Sequence, residues 1–163
     1  MMDWLTSKVG VLIAIGVITV FVLGLFSWQH SAMVDREGQA VADSVSDIIE
    51  STAGLSAAVR LNASFGESGQ LPAEIDGDAY TVNITSDSVI VKAGSRMWIS
   101  GLFAPCVPRN ITDRQLNMTE FRETDYSGWT GEHESDGCFS VERAAVDVSG
   151  RTEYLTLVYW DEG

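Results

Sequence analysis

Apolar positions are continuous over residues 9–26 (VGVLIAIGVITVFVLGLF), one-sided over residues 33–61, and alternating in short runs from residue 80 onward. The continuous run contains no charged residue. Extended through Trp28 as a helix, it is about 30 Å long, which matches the hydrocarbon thickness of a bilayer. Trp4 and Trp28 stand at its two ends, where interfacial indoles are expected. A cleaved secretory signal would have a shorter apolar core and a small-x-small site after it. Here SWQHSAMVDREG offers only a weak candidate at Ser31 and Ala32, so a retained helix is expected.

In the one-sided stretch Val34, Val41, Ile48 and Leu55 recur every seven residues, with Val45, Ile49 and Val59 beside them at helical spacing. Asp35, Glu37, Asp43, Asp47 and Glu50 take the other faces. The pattern predicts an amphipathic continuation of the same helix over residues 29–61, lying on the protein's own sheet and ending near Asn62. Tyr80, Val82 and Ile84 then alternate with Thr81, Asn83 and Thr85. VIVKA and RMWIS follow across SDS and GS turns, and FSVERAAVDV and RTEYLTLVYW flank an SG turn. Residues 101–137 lose all periodicity and read as a long loop. The expected fold is α+β: a long N-terminal helix covering one face of an antiparallel meander of about five strands. The chain divides into a short leader (1–8), a transmembrane or filament-core helix (9–28), its amphipathic continuation (29–61) and a β-sheet domain (62–163).

The 163 residues leave about 130 beyond the apolar segment, enough for one domain. The net charge of −13 resides entirely in that part and repels phosphate backbones, so nucleic-acid binding is not expected. Lys8 and Lys92 are the only lysines. Lys8 and the amino terminus before the span nearly balance Arg36 after it, so charge does not set orientation. The asparagines do. All four, Asn62, Asn83, Asn110 and Asn117, begin an N-x-[ST] triplet. A random asparagine in this chain would do so about one time in six, so the set points to a domain that faces outward and meets an N-glycosylation machinery.

Cys106 and Cys138 lie in no C-x-x-C, and zinc would need more ligands than His133 supplies. Outside the cytoplasm a disulfide pinning the long loop is expected, against the alternative of two unrelated buried thiols. No G-x-S-x-G, Walker loop or H-E-x-x-H is present, and His30 sits at the membrane edge. The acidic cluster DYSGWTGEHESDG (125–137) fails the EF-hand template at Trp129 and Thr130 and reads as a solvated loop. No enzymatic activity, metal or cofactor is expected.

This order of parts resembles the type IV pilin superfamily, and archaeal pilin-like proteins in particular. The stretch LPAEIDGDAYTVNITSDSVIVKAG is similar to an LP-x-x-I-x-G-x-x-Y-x-V opening of the sheet in such proteins. The resemblance implies a structural subunit that enters the membrane and passes to a pilus assembly machinery. Copies would then bundle through the apolar helix, with Gly10, Ala14, Gly16 and Gly24 allowing close approach. Two departures keep a non-polymerising anchored protein, or a minor component of a secretion or adhesion machine, as the alternative. Lys8 is followed by Val9 before Gly10, displacing the usual processing pattern by one residue, and residues 9–26 lack the glutamate of bacterial pilins. The expected location is the cell membrane with an extracellular C-terminal domain, or an extracellular filament.

Overall fold

The computed structural model describes residues 2–57, 59–66, 69–110, 131–135, 137–148 and 151–161. Helix α1 (Met2–Ala53) is followed by ten strands: β1 (Arg60–Ser64), β2 (Glu74–Ile75), β3 (Asp78–Ala79), β4 (Thr81–Ile84), β5 (Ser88–Ala93), β6 (Arg96–Gly101), β7 (Cys106–Asn110), β8 (Gly131–Glu134), β9 (Cys138–Val148) and β10 (Arg151–Asp161). The protein is α+β, one long helix packed on antiparallel sheets. It forms two compact units, Met1–Arg36 and Glu37–Gly163.

Within the second unit the buried positions of α1 are Gly38, Val41, Ala42, Val45, Ser46, Ile49, Thr52 and Ala53. They recur at three and four residues, a helical period that draws on small and polar residues as well as on the apolar ones. Of the seven-residue repeat Val34 and Val41 are buried, Ile48 is half-buried and Leu55 is exposed, so the repeat drifts off the buried face toward the end of the helix. The face lies along β6. A Cβ on Gly38 would stand 2.3 Å from Cδ2 and Cε2 of the Trp98 indole, so the ring rests on the helix backbone. Gln39 Nε2 donates to the Ile99 carbonyl at 3.1 Å and Ser46 Oγ to the Gly101 carbonyl at 3.3 Å. Glu50 Oε1 accepts from the Phe103 amide at 2.7 Å. Ile99 and Gly101 are two residues apart, so their carbonyls leave the same side of the strand. That side is the open one, because β6 ends its sheet.

The helix stops at Ala53, eight residues short of the expected end. Gly54 and Leu55 close the last turn on the Glu50 and Thr52 carbonyls, and the chain turns out into β1. Val59, Leu61 and Ala63 also read as an alternation, and Ala63 is buried opposite Phe139. Pairing with β9 thus wins over the helical reading of the same residues.

Two four-stranded sheets, ordered β6-β5-β4-β8 and β1-β9-β10-β7, replace the single meander expected. The five strands read from the sequence are all present. Strands β7 and β8 occupy the stretch expected to be loop, and β7 pairs with β10 in parallel. Proline at position 108 is accommodated because β7 is an edge strand. The inner faces of the sheets meet in an aromatic cluster. Phe139 and Phe65 lie 5.2 and 6.2 Å from the Trp160 ring, and His133 of β8 stacks on it at 4.3 Å. Val82, Ile84, Val89, Val91 and Trp98 line the β4–β6 side of the core.

The expected Cys106–Cys138 disulfide is not formed. Cys106 faces Thr156 on β10, and Thr156 faces Arg143 on β9, so Cys138 lies two strands across and five positions along the sheet. At about 4.8 Å per strand and about 3.3 Å per residue, the Cα atoms are roughly 19 Å apart. A bridge needs less than about 7 Å. The parallel register of β7, which the sequence pattern did not reveal, sets this separation.

Adding one methyl at Gly38 tests the helix–sheet contact. Gly38→Ala should lower stability by about 1–3 kcal/mol through overpacking against Trp98. Gly54→Ala, where a Cβ would meet only backbone atoms at 3.6 and 3.9 Å, should be near neutral in the same thermal unfolding series on the detergent-solubilised chain.

Candidate functional site

The most distinctive surface is the apolar run of α1. Every residue from Lys8 to His30 is exposed, including Leu12, Val20, Phe21 and Trp28. The segment is long and apolar enough to cross a membrane, which is compatible with anchoring. Its internal polar group is satisfied locally, since Thr19 Oγ1 donates to the Ile15 carbonyl at 2.9 Å. A side chain at Gly10, Gly16 or Gly24 would meet no heavy atom within 4 Å of its Cβ, and Ala14 is equally exposed. These positions leave shallow places on an otherwise bulky cylinder. Trp4 falls among residues whose side chains are outside the described set.

The sequons occupy different settings. Asn62 is exposed on β1, and its Oδ1 accepts from Ser140 Oγ at 2.9 Å. Ser64, its sequon hydroxyl, is exposed two residues on. Asn83 is half-buried on β4, an interior strand, and its Oδ1 is buried without a hydrogen-bond partner. Its sequon partner Thr85 is built into the β4–β5 turn: the hydroxyl accepts from the Ser88 amide at 3.0 Å and donates to the Ser88 carbonyl at 3.0 Å. Asn110 ends β7, with its side chain outside the described residues, and Asn117 lies wholly outside them.

The LP-x-x-I-x-G-x-x-Y-x-V stretch has a clear structural meaning. Leu71, Ile75, Tyr80 and Val82 are buried. Asp76 and Gly77 take positive φ, 58° and 80°, in the two-residue turn between β2 and β3, the conformation Asp-Gly favours. The Tyr80 hydroxyl donates to the Pro72 carbonyl, and burial raises its pKa. The motif is thus a self-closed corner of the core.

Cys106 is buried and its Sγ donates to the Thr85 carbonyl at 3.2 Å. Burial pushes the thiol up to about 12; its own backbone amide opposes the shift and Asp87 adds to it. Most of the 125–137 acidic loop lies outside the described residues. Among the described residues no group of three His, Cys, Asp or Glu side chains is placed to hold a metal ion.

These features define a class: a small two-sheet β domain carried on one long helix whose first half is apolar on all sides. A family model described as a family of unknown function (DUF7266) matches residues 5–114, and the chain belongs to that family. The match takes in α1, the β2–β3 corner and the strands through β7. Comparison with curated proteins and with solved structures gives no match.

The buried thiol makes an alkaline prediction. An unfolded chain loses the Cys106 proton above about pH 9, whereas the folded chain holds it to about 12. The folded state then binds more protons, so stability is full below pH 9 and falls above it by up to about 1.4 kcal/mol per pH unit. Urea unfolding from pH 8 to 11 should show this extra slope in the wild type and lose it in Cys106→Ala.

Proposed function

We propose that this protein is a membrane-inserted, outward-facing structural subunit of the archaeal pilin-like kind, assembling with copies of itself into a surface filament. One observation carries the reading: α1 buries its second half against its own domain and leaves its first half, residues 9–26, apolar on every side. Such a surface is stable only in lipid or against similar helices. Lipid holds it first, and bundling with other copies, aided by the pilus assembly machinery, holds it afterwards. Gly10, Ala14, Gly16 and Gly24 give neighbouring helices places to approach, and close backbone contact is what drives association where no hydrophobic effect separates helix from lipid. The acidic β domain, with N-linked sugars on its sequons, forms the solvated exterior. The role is structural, not enzymatic.

A permanent anchor differs in one respect: its helix stays in the bilayer. Filament assembly predicts that shearing releases the protein from cells, with an N-terminus at Val9 or Val11 and an intact mass above that of the polypeptide. Retention of Met1 in an unsheared membrane fraction would instead assign the helix to anchoring. Gly16→Leu or Ile15→Asp should abolish surface filaments while leaving the β domain's near-ultraviolet circular dichroism unchanged; normal filaments from both would overturn the assembly role.

A further inference from the structure

The two four-stranded sheets end in four edge strands, and three of them are covered, interrupted by proline or short and charged, which hinders pairing with another chain. Strand β6 is covered by α1, whose Gln39 and Ser46 occupy two of its outward carbonyls. Strand β7 contains Pro108 and is tied at its start, where the Cys106 amide donates to the Ser86 carbonyl at 3.0 Å. Strand β8 is four residues long and reads GEHE, with two acidic residues. Strand β1 is tied only at its end, where the Leu71 amide donates to the Ser64 carbonyl at 3.2 Å; along Arg60–Ala63 it has none of the other devices. Four of its five residues are exposed. Its one charged residue, Arg60, is turned back over the sheet, with Nη2 donating to Ser140 Oγ at 3.0 Å. What β1 does carry is a sequon.

The setting of that sequon suits modification of the folded domain. The bond from Ser140 Oγ fixes the Asn62 amide through its oxygen. The Asn62 nitrogen and the Ser64 hydroxyl make no hydrogen bond among the described residues, and both side chains are exposed on one side of the strand. At Asn83 the oxygen is buried and the Thr85 hydroxyl is locked in a turn. We infer that Asn62 carries an N-linked saccharide whose function is to close the β1 edge against strand addition by other copies of this chain. A strand adding to β1 would bring side chains within about 4.5–5.5 Å of the Asn62 Cβ, space that a branched sugar fills. The need is acute for a protein concentrated by its helix in a membrane or filament, where edges of identical domains meet at high local concentration. This rests on the outward orientation proposed above.

The test uses the full-length chain made in its source cells, with Ser64→Ala as the main variant. That change removes the sequon and keeps the Asn62–Ser140 bond, so folding is preserved. Peptide mapping by mass should find sugar on Asn62 in the wild type and none in the variant. Cross-linking of detergent-solubilised protein should then give roughly two-fold or more higher-order species for Ser64→Ala, and Asn62→Lys, which replaces the sugar by an edge charge, should restore the wild-type pattern. A bare Asn62 with sugar on Asn83, Asn110 or Asn117 would overturn this inference and leave the outward orientation standing. So would an occupied Asn62 whose loss leaves association unchanged, or lowers it as expected if β1 receives a partner strand. Absence of sugar from all four asparagines would overturn the outward orientation itself.

Discussion

The second half of α1 lies along the open side of β6 and donates to two of its outward carbonyls. Each hydrogen bond from Gln39 and Ser46 contributes about 1 kcal/mol net or less, since Ile99 and Gly101 are exposed, so the close packing of Trp98 on the helix carries most of the contact. The contacts Gly38–Trp98, Gln39–Ile99, Ser46–Gly101 and Glu50–Phe103 climb together, so helix and strand run alongside each other in the same direction. Close approach is possible only because position 38 has no side chain. With α1 in place, the buried face of β4–β6 is sealed at one end, and the aromatic cluster around Trp160 joins it to the other sheet.

How much of this was legible in the sequence follows from the range of the interactions. The apolar run and the alternating strands are local patterns; they give five strands within a residue or two and the helix itself, though not its end, which falls eight residues earlier. The β2–β3 turn is written in Asp76 and Gly77. Strand β1 was hidden because Val59 fits a helical and an extended pattern equally, and the deciding partner, β9, lies far along the chain: Asn62 and Ser140 are 78 residues apart. Strands β7 and β8 are short, proline-bearing or charged, and only their partners β10 and β4 define them.

The candidate surfaces divide in the same way. Exposure of residues 9–26 follows from composition, since no face of that helix is polar. The settings of the sequons do not, because an N-x-[ST] triplet carries no information about edge or interior. Register separated Asn62 from Asn83, and register also parted Cys106 from Cys138. Cysteine spacing along the chain could not anticipate a parallel strand that carries Cys106 to the middle of β10 instead of its end.

The β1–β9 pairing also sets the order in which the domain can fold. A chain emerging from the N-terminus makes α1 and the β4–β6 hairpins from neighbouring segments, contacts of low sequence separation that form quickly. Arg60 through Ser64 have no sheet partner until Cys138 through Glu142 arrive, and β10 then completes the sheet on the far side. Synthesis at about 5–20 residues per second makes that delay several seconds long. Throughout it β1 waits without its sheet partner, so the segment near position 60 joins the C-terminal hairpin only once the chain is nearly complete.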